Sequence, residues 1–106
     1  MSGKIYGFLE ENSEDPCSIN KFVRKYYDTL ENIVNEAGSS IIISDLSPSG
    51  MFIYKFLRSL SYKNVIIYHL GKFPNYNPEN LPTLKFKNKE KLIATIISSS
   101  TEIIYL

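Results

Sequence analysis

Two short runs of β-branched residues limit the possible folds of this chain. Ser40–Ser44 reads SIIIS and residues 65–68 read VIIY, so each run is too short for a helix and is apolar at consecutive positions. A strand that is apolar on both faces is typical of a parallel sheet buried between helices. We therefore expect the two runs to lie side by side, to point the same way and to be covered by helical layers.

The rest of the chain continues the alternation of strands and helices. Apolar residues at three- and four-residue steps predict a long amphipathic helix that begins near Asp15 or Ser18 and ends at Gly38. Further strands are expected in residues 4–10 and 102–106, further helices in residues 51–60 and 88–98, and a long proline-containing loop in residues 70–88. This order is typical of right-handed βαβ units.

The sequence therefore predicts one domain over residues 1–106. Its expected fold class is α/β, a small Rossmann-like three-layer sandwich with a mostly parallel sheet of about four strands. The last strand, residues 102–106, is expected to be either interior to this sheet or covered by another chain, because a bare apolar edge invites association.

Composition excludes several classes of protein. The chain has 106 residues with 12 basic and 11 acidic side chains, whereas a dedicated nucleic-acid binder needs an excess of Lys and Arg. No apolar run approaches the roughly 18–20 residues that cross a membrane. The single cysteine, Cys17, allows no internal disulfide, which fits a reducing, cytoplasmic compartment. With one histidine, neither a metal site nor a cofactor is expected.

A loop after the second strand is the best candidate for a ligand site. In an open parallel sheet, ligands bind beyond the carboxyl ends of the strands, near the point where strand order reverses. Ser44, Ser47, Ser49 and Gly50 put small residues and free backbone amides where a helix begins, a geometry that can hold a phosphate. Asp45 opens the loop and lies at the predicted pocket rim. The same residues also fit an ordinary capped turn between strand and helix.

Other residues with useful chemistry have simpler explanations. His69 ends the third strand, where it either contacts a ligand or has a structural role. Four acidic residues follow the first strand and favour a solvated loop over paired catalytic carboxylates: Glu10, Glu11, Glu14 and Asp15. Cys17 has no neighbouring base and is not predicted to be a nucleophile. No catalytic residue is predicted. Phe73 and Tyr76, in the proline-containing loop, favour contact with a partner chain over stacking on a base.

One stretch of the chain carries a family resemblance. Residues 61–69 read SYKNVIIYH, and the alignment extends back to Ile42 without a gap, with Asp45 on the first aspartate of the pattern and Phe56 at a tyrosine-leucine pair. On these residues the chain resembles the SLOG group of Rossmann-like proteins, which includes relatives of the lysine-decarboxylase-like and DNA-processing families. Members of that group bind nucleotides or related phosphorylated small molecules, and some hydrolyse them. The resemblance implies a Rossmann-like fold and a ligand of this class.

Three positions differ from the pattern of the SLOG group. Ser44 and Pro48 stand where the group has glycines, and Gly50 stands where it has an aspartate. We therefore predict binding of a nucleotide-derived or phosphorylated ligand without efficient catalysis. The predicted ligand contacts are Asp45, Ser47, Ser49, Gly50 and His69. The alternative is a fold retained for homo-oligomerisation or contact with a protein partner, which the bare last strand favours.

Overall fold

A computed structural model of the chain describes residues 3–9, 19–46 and 48–105. These residues form, in order, β1 (Ile5–Leu9), α1 (Ile19–Asn35), β2 (Ser40–Ser44), α2 (Pro48–Ser59), β3 (Val65–His69), β4 (Thr83–Lys85), α3 (Lys89–Ser99) and β5 (Glu102–Tyr105). None of the described helices combines the length and the apolar character needed to cross a membrane. The predicted alternation of strands and helices is confirmed.

All strands are parallel and follow the order β4-β3-β2-β1-β5. Ile41 lies beside Val65 and Ile43 beside Ile67, so the two isoleucine-rich runs are adjacent and point the same way, as predicted. The α/β sandwich is confirmed with five strands in place of about four. The additional strand, β4, lies within the loop predicted for residues 70–88. The sequence does not predict this strand, because its three residues are exposed and carry no apolar pattern.

Helices cover both faces of the sheet, and successive residues of each strand enter different cores. On the face of α1 and α2, the strands bury Phe8, Ile41, Ile43 and Ile67 against Leu30, Ile53 and Leu57. On the face of α3, they bury Leu9, Ile42 and Tyr68 against Leu92 and Ile96. Each fully buried Leu or Ile side chain contributes roughly 1.5–3 kcal/mol of transfer free energy. The sheet is therefore the shared wall of two apolar layers.

The helix ends follow the local sequence. Gly38 has a φ of 78°, which lies in the left-handed region where glycine has no steric penalty, and it follows α1 as predicted. At the start of α3, Asn88 accepts a hydrogen bond from the backbone N–H of Lys91 at 2.8 Å through Oδ1. This N-cap satisfies one of the amides that the first turn leaves unpaired.

The strand order reverses next to β1. From β1 the chain steps outward through β2 and β3 to β4, and α3 then crosses the opposite face to reach β5 on the other side of β1. Such a reversal opens a crevice at the carboxyl ends of the neighbouring strands. The topology therefore places the expected ligand crevice between β1 and β5, next to the carboxyl end of β2.

Candidate functional site

The carboxyl ends of β2 and β3 bring Asp45 and His69 to one edge of the sheet. Ser44 lies beside Tyr68 in the parallel register, and the backbone N–H of Asp45 donates to the carbonyl of Tyr68 at 3.2 Å. Parallel strands end at a common edge, so the residues that follow them become neighbours. Two of the predicted ligand contacts thus lie at the same edge of the sheet.

Asp45 is bound to the loop that follows β3. Its Oδ2 accepts a hydrogen bond from the backbone N–H of Asn75 at 2.7 Å, and the side-chain Nδ2 of Asn75 donates to the carbonyl of Asp45 at 3.3 Å. An amide that donates to a carboxylate forms one of the stronger hydrogen bonds in proteins. Asp45 therefore positions this loop, and the negative charge of its carboxylate is partly offset by the amide.

Residues 70–82, which we call the β3–β4 loop, are also bound to α2. The hydroxyl of Tyr54 donates to Asn77 Oδ1 at 2.8 Å and accepts the backbone N–H of Glu79 at 3.0 Å. Burial raises the pKa of Tyr54, so this hydroxyl keeps its proton and can donate at neutral pH. Arg58 Nε adds a bond to Glu79 Oε1 at 2.8 Å. The loop is thus attached to both the sheet edge and the helix.

Tyr76 and Phe73 have different environments in the β3–β4 loop. The ring of Tyr76 is half-buried and meets Tyr54 edge to face, with ring centroids 5.1 Å apart. Together with Met51, these rings fill the space above β2 and β3 and leave no room for a water molecule. Tyr76 therefore packs on its own chain. Phe73 is 73% exposed, and its predicted role in partner contact stays a prediction.

Gly50 allows α2 to begin directly against the end of β2. A Cβ at this position would overlap the carbonyl oxygen of Ser44. The missing side chain therefore brings the first turn of the helix onto the strand backbone. Gly50 therefore has a packing role between β2 and α2.

His69 is buried, with 4% of its surface exposed. Its Nδ1 lies 2.8 Å from the carbonyl oxygen of Gly71. Because a carbonyl only accepts hydrogen bonds, Nδ1 is the donor of this bond. Strand alternation from the buried Ile67 places the His69 ring on the α2 face of the sheet.

Ser44, one of the small residues of the predicted phosphate-holding loop, is the most informative polar group at this edge. Its side chain is 6% exposed, on the α3 face, and its hydroxyl has no hydrogen-bond partner among the described residues. The buried Ser39, in contrast, donates to the carbonyl of Ile33 at 2.6 Å. An unpaired buried hydroxyl costs about 1–3 kcal/mol. The signal in the sequence is a serine that ends an otherwise apolar strand.

Several predicted positions lie outside the described residues: Ser47, Cys17, Glu10, Glu11, Glu14, Asp15 and the side chain of Ser49. Over residues 3–9, 19–46 and 48–105, no group of three His, Cys, Asp or Glu side chains is arranged to hold a metal ion. Comparison of the chain with family models, curated proteins and solved structures finds no match. The resemblance to the SLOG group stays a prediction.

Proposed function

We propose that this chain is a Rossmann-like module that binds a nucleotide-derived or phosphorylated small molecule at the carboxyl edge of its sheet, in the crevice expected between β1 and β5, next to the end of β2. The observation that carries the proposal is an all-parallel sheet whose strand order reverses next to β1. In open α/β sheets such a reversal is where ligands bind, because the flanking helices diverge from it. The resemblance to the SLOG group supports the same class of ligand.

Two groups at the end of β2 favour an anionic ligand. α2 begins at Pro48, which has no N–H; the amides of Ser49 and Gly50 in the same first turn lack partners within the helix and attract negative charge. The buried hydroxyl of Ser44, unpaired within the described part of the chain, can donate to a ligand oxygen. The backbone amide of Asn75 offsets the charge of Asp45 on the neighbouring side. The predicted contacts Ser49 and Gly50 belong to this first turn, and Ser47 lies outside the described residues.

Efficient catalysis is not part of this proposal. The carboxylate of Asp45 accepts a hydrogen bond from the backbone of Asn75. His69 is buried and is held by Gly71 through Nδ1. Nucleophilic or acid–base chemistry needs such a group to face a nucleophile or a substrate proton. Binding without turnover therefore agrees best with the geometry.

Isothermal titration with a panel of nucleoside mono-, di- and triphosphates, and with inorganic phosphate, tests the proposal. We expect heat with at least one nucleotide, and we expect Ser44→Ala to weaken that binding about tenfold because one donor is lost. The variant should be at least as stable as the wild type, since it removes an unpaired buried hydroxyl. Ser40→Ala, at the other end of β2, is the matched control and should bind normally. Absence of heat with every member of the panel would refute ligand binding.

A second function, contact with another protein, is favoured by a separate observation. Ile97 of α3 is 51% exposed and Tyr105 of β5 is 55% exposed. Single exposed apolar residues are normal in proteins, but these two lie on adjoining elements at one edge of the sheet. An exposed edge strand with apolar neighbours favours homo-oligomerisation through this edge.

A further inference from the structure

We infer that β5 pairs in antiparallel fashion with β5 of a second copy of this chain, which joins the two sheets into one. This inference rests on the second candidate function and does not depend on ligand binding. Within the described residues, β5 has β1 on one side and no strand on the other. Three features of this edge indicate that the partner is a second copy: the outward backbone groups of β5, the apolar residues of α3 beside it, and the way β5 matches itself in an antiparallel pair.

The backbone of β5 presents hydrogen-bonding groups along the free edge. The N–H of Thr101 donates to the carbonyl of Ile5 at 2.7 Å, so the backbone groups of residues 101, 103 and 105 point toward β1. Because these groups alternate along a strand, Glu102 and Ile104 direct their N–H and C=O groups outward. A row of unpaired groups on an extended strand is a template for another strand.

α3 adds an apolar border to this edge. Leu92 and Ile96 are fully buried against the sheet, so Ile93 and Ile97, each one residue later, lie together on one side of the helix. α3 joins the parallel strands β4 and β5, and crossovers of this kind are right-handed. In that arrangement, the side of α3 that carries Ile93 and Ile97 faces β5. The half-buried Ile93 and the exposed Ile97 therefore border the free edge.

β5 is complementary to itself in one register. A two-fold axis at Ile104 places Ile104 opposite its own copy and Tyr105 opposite the second copy's Ile103. Pairs of aromatic and β-branched side chains are favourable across antiparallel strands, whereas like charges directly opposite each other are unfavourable. In this register the two Glu102 carboxylates lie at opposite ends of the pairing, and each has Lys4 of its own chain 3.7 Å away. The two α3 helices then meet across the axis on one face.

Sedimentation velocity of the full chain across the micromolar range tests the inference. We expect a dimer for the wild type, and Ile97→Lys should raise the dimer dissociation constant at least about tenfold because it places a charge in the apolar border of each copy. Leu84→Lys, at the other sheet edge and 43% exposed, is the matched control and should leave the dimer unchanged. A wild type that stays monomeric at every concentration, or a dimer that only Leu84→Lys weakens, would overturn the inference.

Cross-linking tests the register. In a Cys17→Ser background, Ile104→Cys should give a disulfide-linked dimer, because opposed residues in an antiparallel pair have Cα atoms about 5.5 Å apart. Leu84→Cys should remain monomeric under the same oxidation. Equal cross-linking of the two variants would contradict the pairing. A monomer that still binds a nucleotide in the titration would sink the dimer and leave the ligand proposal intact, so the two failures are distinguishable.

Discussion

β4 and β5 are the edge strands of one sheet, and they differ in length, charge and surroundings. β4 has three residues, all exposed, and it follows Pro82 and carries Lys85. β5 has four residues, and its central Ile103 and Ile104 are half-buried. Short length, proline and lysine are the usual means by which proteins prevent pairing at a sheet edge. The comparison indicates that β4 is protected from association and that β5 is suited to it.

The loops at the carboxyl ends of the strands also differ between the β4 side and the β5 side of the sheet. Near β4, the β3–β4 loop is held over the strand ends by hydrogen bonds with Asp45, Tyr54 and Arg58. Near β5, where the strand order reverses, the hydroxyl of Tyr26 donates to the carbonyl of Tyr105 at 3.4 Å. The half near β4 is therefore closed by a loop of its own chain, and the half near β5 is where we propose that a ligand or a partner binds.

Gly50→Ala tests the closed half and has the largest expected effect. The added Cβ would overlap the backbone carbonyl of Ser44, which cannot move without shifting β2, so we expect the free energy of unfolding to fall by about 3 kcal/mol. Urea unfolding measures the loss. Gly7→Ala in β1 is the comparison variant, because its Cβ would meet the rotatable hydroxyl of Ser100 and, at 2.7 Å, a methyl group of Ile96. We expect a smaller loss there, and equal losses would contradict the difference between the halves.

Asn77→Ala tests whether hydrogen bonds hold the β3–β4 loop. Asn77 Oδ1 accepts from the Tyr54 hydroxyl and from the backbone N–H of Leu81, each at 2.8 Å, and its Nδ2 donates to the carbonyl of Leu81 at 2.9 Å. Loss of these bonds should lower the free energy of unfolding by about 2 kcal/mol and speed hydrogen exchange at Leu81. Asn75→Ala is the control, since it keeps the backbone bond to Asp45. If the two variants lose equal stability, the loop is not held through Asn77.

Tyr6→Phe gives the smallest effect and concerns the half near β5, at alkaline pH. Burial and the hydrogen bond to Glu36, 3.0 Å away, raise the pKa of Tyr6 from 10.0 to about 12. The folded chain therefore holds this proton more tightly than the unfolded chain does. Its contribution is complete below pH 10 and is lost as pH rises from 10 to about 12. The melting temperature of Tyr6→Phe should decline less than that of the wild type in this window, and equal declines would exclude Tyr6 as the cause.

Elements with a strong local pattern could be predicted from the sequence, and elements without one could not. The bounds of β2 and the glycine turn that follows α1 at Gly38 can be predicted from neighbouring residues, because side-chain branching and turn geometry are local properties. β4 has no such pattern. It exists because Phe86 N donates to the carbonyl of His69 at 2.8 Å and Ile67 N to that of Pro82 at 3.0 Å, and both bonds join segments far apart in the chain.

The candidate site divides in the same way. Asp45 and His69 could be placed at one edge of the sheet, because each directly follows or ends a predicted parallel strand. Their partners could not be predicted, since Asn75 lies 30 residues from Asp45 and reaches it only after the β3–β4 loop has folded back. The isolation of the Ser44 hydroxyl is likewise a property of the assembled core and not of the segment that contains it.

The pattern of apolar residues within single segments was thus sufficient to predict parallel strands between layers of helices. A strand that is buried on both faces needs a continuous apolar run, and such a run can be seen in the sequence of that segment alone. Strand order was not visible in this way. The position of β5 beside β1 depends on α3 crossing the sheet, and that packing is made by Ile96 and Ser100 against Gly7, residues about ninety positions apart. Contacts between residues so far apart in the sequence determine where the strand order reverses and which strand, β5, lies at the edge next to β1.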